Sequence, residues 1–172
     1  GKKAGDEYLQ GIRENINNDK PLIGPYGVNQ EGSSDMYNKG ASLLHTIRQI
    51  INNDSVFKKI LRGLNSEFYH KTVDSKDVET YFSKIARIDL SKVLDQYLRT
   101  IKIPVLEYKK EGNKISYRWV NCVKDFDMPI SIGSERAFWL SPKTEWQKID
   151  LPLNYKMEDV NKNFYITLKE IK

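Results

Sequence analysis

The chain has 172 residues, long enough for one large domain or two small ones, and its 39% hydrophobic content with three Trp, ten Tyr and six Phe excludes a disordered chain. No stretch approaches the roughly 20 apolar residues of a membrane helix, and the start Gly1-Lys2-Lys3-Ala4-Gly5-Asp6 has no apolar signal-peptide core behind it, so no membrane partner is expected. The net charge of +5 is spread thinly, with 15 basic and 13 acidic residues up to position 101 and 13 and 10 after it, and no aromatic series interleaves the lysine pairs; no nucleic-acid partner is expected.

The segment from Asn17 to Asn29 is dense in turn-forming residues and reads as a long loop, ordered or flexible. Ser33-Ser34-Asp35 can then cap a helix whose apolar face is Leu43, Leu44, Ile47, Ile50 and Ile51. From Asp54, the residues Phe57, Ile60, Leu61, Leu64 and Phe68 recur at the spacing of one helical face, with Asp54 or Ser55 placed to cap the first turn. A third helix opens near Asp74-Ser75 and carries Val78, Tyr81, Phe82 and Ile85; a fourth carries Leu90, Val93, Leu94, Tyr97 and Leu98. Their short connections predict antiparallel packing.

After Pro104 the period changes to two. Val105 to Tyr108, the turn residues Glu111-Gly112-Asn113, and the alternation of Ile115, Tyr117 and Trp119 with Ser116, Arg118 and Val120 predict a hairpin. Short runs at Met128 to Ile132, Ala137 to Leu140, Trp146 to Ile149 and Phe164 to Leu168 extend the pattern. The expected fold class is α+β, with a helical part over 1–102 followed by a small antiparallel β-sandwich over 103–172.

Complete catalytic sets are missing: there is no H-E-x-x-H, G-x-S-x-G, P-loop or G-x-G-x-x-G. The two histidines, His45 and His70, have no adjacent acid that makes a metal site, and His45 is expected to pack on its helix. Cys122, the single cysteine, forms no internal disulfide and reads as a packing residue. No metal ligand is therefore assigned in this chain.

One segment carries chemistry: Asp35-Met36-Tyr37-Asn38-Lys39-Gly40-Ala41-Ser42-Leu43-Leu44-His45. It resembles the Tyr-x-Lys-Gly-Ala helix of the aminopeptidase N family of zinc metallopeptidases, which are gluzincins. The likeness continues through Phe57 to Leu64, Phe68-Tyr69-His70, Leu94 to Arg99 and Ile103 to Tyr108, the last resembling the start of the β-sandwich that follows the catalytic domain there. It implies that the chain corresponds to the C-terminal part of such an enzyme, beginning with the end of a thermolysin-like domain. It also implies that Tyr37 is the catalytic tyrosine that donates a hydrogen bond to the oxyanion.

The zinc ligands and the general base lie upstream of this motif in the family. The resemblance therefore implies zinc in the full-length parent, none bound to this chain, and no hydrolysis by this chain alone. Peptides are the implied substrates, and the upstream catalytic half of the same protein is the implied partner. The loop from Gly24 to Gly32 is expected to border the substrate cleft, a close helix contact is expected to explain Gly40, and Lys39 is expected to be solvated or ion-paired.

A phenol suits the role physically, because it is unionised below a pKa of about 10 and is a strong donor at working pH. The competing expectation is a non-catalytic protein-binding or scaffold module anchored by whichever of Trp119, Trp139 and Trp146 are exposed, with at least two of the three expected in the core.

Overall fold

The computed structural model describes residues 1–30, 32–133 and 136–172 and has the expected α+β class. Five helices come first: α1 (Lys2–Gly11), α2 (Asn38–Ile51), α3 (Asp54–Glu67), α4 (Ser75–Ala86) and α5 (Ser91–Arg99). Six strands follow: β1 (Val105–Glu111), β2 (Lys114–Val120), β3 (Ile130–Ile132), β4 (Phe138–Leu140), β5 (Gln147–Asp150) and β6 (Thr167–Glu170). Among the described residues no helix is long and apolar enough to cross a membrane.

Local chemistry explains the helix ends. Asp74 caps α4 in a reciprocal box with Asp77, satisfying two otherwise orphaned backbone donors. The cap of α3 is Asn53, whose side chain accepts from the amides of Ser55 and Val56. The expected caps Asp54 and Ser55 lie inside that helix, and the Asp54 carboxylate instead meets Arg48 at 2.7 and 2.6 Å. The tight α2–α3 junction uses Asn52 in the left-handed region at φ 47°, a conformation that asparagine tolerates well. Helix α1, which the sequence pattern does not single out, has no buried residue.

The expected hairpin forms, with Leu106 opposite Trp119 and Tyr108 opposite Tyr117 on the buried face. Gly112, at φ 62°, makes its turn. The four-stranded sheet has the order β5-β2-β1-β6, and β3 pairs with β4 in a second antiparallel sheet. The larger sheet is mixed, not wholly antiparallel, because β6 runs parallel to β1. Residues 151–166 carry the chain from the β5 edge to the opposite edge, and alternation along a strand does not encode the direction in which it then joins.

Phe164 and Tyr165, expected at the start of that last strand, pack instead between the sheet and the helices. The amide of Tyr165 donates to Thr46 Oγ1 at 3.0 Å. Tyr97, on α5 and fully buried, stacks on Tyr165 with ring centroids 5.8 Å apart and donates its hydroxyl to the Tyr165 carbonyl at 2.6 Å. Arg13 adds a second tie, donating to the carbonyls of Lys162, Asn163 and Phe164. Helices and sheets thus contribute to one continuous core.

Only Trp119 of the three tryptophans is fully buried, its indole N–H donating to the Met128 carbonyl at 3.1 Å. Trp139 and Trp146 are 36% and 41% exposed, against the expectation that at least two would lie in the core. The short strand β4 brings Trp139 only edge-on to Phe164, while Trp146 lies beneath the Arg118 guanidinium, 4.5 Å from its ring centre.

The Tyr97 bond gives a direct test of how the helical and sheet parts are joined. Tyr97→Phe should lower unfolding stability by about 1–3 kcal/mol in urea denaturation, since it withdraws the donor from a buried carbonyl. An unchanged midpoint and slope would mean that the bond contributes nothing.

Candidate active site

The short 3₁₀ helix Ser34–Met36 leads into α2, with Tyr37 at the junction. Ser33 caps it by accepting from the Asp35 amide, and its hydroxyl donates to Asp19 Oδ1 at 2.8 Å. The buried Asp35 carboxylate accepts from the amides of Asn17 and Asn18 at 3.0 and 2.6 Å. The segment ahead of the motif is therefore pinned to it by the motif's own side chains. The Tyr37 carbonyl accepts from the Ala41 amide, so the tyrosine already belongs to the first helical turn.

Residues two apart on a helix point in nearly opposite directions. Tyr37 is 75% exposed, and its hydroxyl has no hydrogen-bond partner among the described residues. Lys39 is 0% exposed, and its ammonium donates to the Thr100 carbonyl at 2.8 Å. Lys39 is thus neither solvated nor in a close ion pair, contrary to expectation. Burial pushes its pKa below the usual lysine range, and the charges of Asp35 and Asp19 oppose that shift.

Lys39 also belongs to a buried polar stripe. Asp35, Lys39, Ser42 and Thr46 follow one another at spacings of 4, 3 and 4, and all four are buried. The receiving Thr100 is itself fixed, because its hydroxyl donates to the Gln96 carbonyl at 2.7 Å. The fully buried Gln96 amide continues the network, donating to Lys102 O and accepting from the Val123 amide. Hydrophobic patterning cannot find such a network, and a Lys on a buried stripe with Asp four residues earlier was the signal available.

Gly40 also departs from expectation: a Cβ built there would meet nothing within 4 Å, so no close helix contact explains it. Tyr37, Gly40 and Leu44 form an outward stripe, with Leu44 38% exposed. The turn-rich loop is latched on its far side. Tyr26 shares a hydrogen bond with Ser75 at the start of α4 and lies against Arg99, which grips Glu79 at 2.6 and 3.3 Å. Glu31 of this loop lies outside the described residues.

Among the described residues, no three His, Cys, Asp or Glu side chains gather where they could hold a metal ion. His70 meets the Tyr69 ring edge-on. His45 is buried with Nε2 3.4 Å from Asp6 Oδ1, and Cys122 is half-buried with its thiol pKa raised by burial. A raised thiol pKa disfavours a nucleophile. A polar cleft of about 870 Å³ lies elsewhere, between α1 and the β3–β4 region, and Tyr37 does not line it.

No family model matches the chain. It is similar to aminopeptidase 2, mitochondrial, of Saccharomyces cerevisiae, at 22% identity over 156 residues, covering 81% of this chain. The chain spans only 16% of the length of that relative. This distant likeness supports a peptidase-related origin.

The site also generates a pH prediction. Burial lowers the His45 pKa more than the contact with Asn163 and the charge of Asp6 raise it, while Arg13 and Arg48 also lower it. The unfolded chain therefore binds the proton first, and stability rises with pH from the lowered folded value up to the ordinary value of about 6.5. Between pH 7.5 and 5 the wild-type chain should lose more unfolding free energy than His45→Gln. Equal losses would show that His45 titrates alike in both states.

Proposed function

We propose that this chain is the C-terminal portion of a zinc-dependent aminopeptidase, and that in the longer protein Tyr37 donates a hydrogen bond to the oxyanion that develops on a peptide carbonyl under attack by water. The observation that carries the reading is the pairing of an outward, unpartnered Tyr37 hydroxyl with an inward, bonded Lys39 in the Tyr-x-Lys-Gly-Ala segment. The distant likeness to a yeast aminopeptidase supports it.

Zinc, when bound to the upstream part, would supply the activated water; this chain's part is limited to the donor and its support. A fixed phenol aimed at the oxyanion lowers the barrier by roughly 2.7–4 kcal/mol, because the donor is already oriented when charge appears. The helical part over 1–102 completes the catalytic domain in this reading, and 103–172 forms a β-domain after it. The stripe of Tyr37, Gly40 and Leu44 meets the upstream half, and Gly40 leaves room for a close approach there. The loop around Tyr26 borders the peptide cleft.

The decisive experiment measures turnover of amino-acid anilides and zinc content in the longer polypeptide, with and without Tyr37→Phe. Turnover should fall by about a hundred- to a thousandfold with zinc content unchanged. A zinc-loaded enzyme with undiminished turnover would make Tyr37 structural. The 172-residue chain alone should not hydrolyse these substrates, even with added zinc.

Tyr26→Ala in the longer polypeptide should weaken peptide affinity, and unchanged affinity and turnover would remove the loop from the cleft. The exposed Trp139 and Trp146 favour the second reading, a protein-binding module, which would gain if the upstream sequence lacked H-E-x-x-H and the later glutamate.

A further inference from the structure

We propose that Lys39 is the positioning residue of Tyr37: its buried ammonium, bonded to the carbonyl of Thr100 just after α5, fixes the rotation of the first turn of α2 and so the face from which the phenol projects. The inference rests on the reading of Tyr37 as the oxyanion donor, and it adds the residue that aims it.

The geometry supports this in three steps. The Tyr37 side chain is 75% exposed and makes no hydrogen bond among the described residues, so the turn that carries it sets the face from which it projects. That turn is held on its opposite side by Lys39, whose fully buried stem leads to a bond of 2.8 Å with the Thr100 carbonyl. Thr100 is the C-terminal residue beyond α5, where exposed carbonyls make the helix end electronegative and favour a cation.

The anchor does not yield easily. Thr100 Oγ1 donates to Gln96 O and accepts from the Lys102 amide, and Gln96 is bonded in turn to Lys102 and Val123. Rotating the first turn of α2 would pull a buried cation off its acceptor, and such a cation has no water to turn to. Asp35, one turn earlier on the same face, holds the chain entering the helix through the Asn17 and Asn18 amides. A side chain that matches the lysine stem but lacks the ammonium, such as methionine, fills the stem's space without locking the rotation.

Two experiments test this. With ¹⁵N-labelled lysine in this chain, the Lys39 ammonium should give a slowly exchanging resonance with cross-relaxation to Thr100. Exchange as fast as that of the surface lysines would overturn the proposal, whether or not any variant folds.

In Lys39→Met, the ring resonance of Tyr37, identified by its loss in Tyr37→Phe, should move while that of Tyr97 stays. In the longer polypeptide the same change should lower kcat by about ten- to a hundredfold, with KM within about twofold, and add nothing on top of Tyr37→Phe. Unchanged kcat in an enzyme that does depend on Tyr37 would overturn the positioning role. A longer polypeptide without Tyr37-dependent turnover would instead remove the catalytic reading, and the ammonium and ring resonances would still decide whether Lys39 holds Tyr37.

Discussion

The ammonium of Lys39, with no exposed surface and the backbone carbonyl of Thr100 just after α5 as its acceptor, ties the motif helix to the end of α5. A buried cation is tolerated only where its charge is met, and here it is met by a helix C-terminus and by the nearby carboxylates of Asp35 and Asp19. Removing the charge would remove the polar tie between α2 and the end of α5 while their apolar packing remains, and displacing the end of α5 would leave the charge without its acceptor. Polar contacts of this kind specify one arrangement among several that an apolar core would accept. The same stripe continues to Thr46, which receives the Tyr165 amide, so the helix that presents Tyr37 is also registered against the sheet.

The arrangement divides α2 into two functions. Its inner side combines the polar stripe with Leu43, Ile47 and Ile50 and is bound to the rest of the chain. Its outer side presents Tyr37, Gly40 and Leu44. A glycine in a helix costs about 1 kcal/mol relative to alanine, and nothing within this chain offsets that cost at Gly40. In the proposed enzyme the offset comes from the surface that meets the upstream half.

Most of the fold was legible because its signals are local. The periodic faces of α3, α4 and α5, the Asp74 cap and the β1–β2 hairpin each follow from residues close in sequence. The features that escaped depend on distant partners. Helix α1 and the short turn after it are held by Gln10 and Arg13 reaching residues 162–164, which no local pattern encodes. The parallel direction of β6 depends on the route of residues 151–166, and Trp139, on the short strand β4 of a two-stranded sheet, and Trp146, just ahead of the edge strand β5, are both exposed.

Of the site, Tyr37 was legible only through its motif, and its exposure was not. The environments of Lys39 and Gly40 were misjudged because composition assigns lysine to water and helical glycine to a tight contact. The most direct test of the central claim is competitive acetylation of amines in the native chain, quantified residue by residue by mass spectrometry. Lys39 should stay unmodified while Lys2, Lys3 and Lys58 react, and it should react only as the chain unfolds. Modification of Lys39 at the rate of those surface lysines would mean that the ammonium is not held inside and that Tyr37 is not aimed from within.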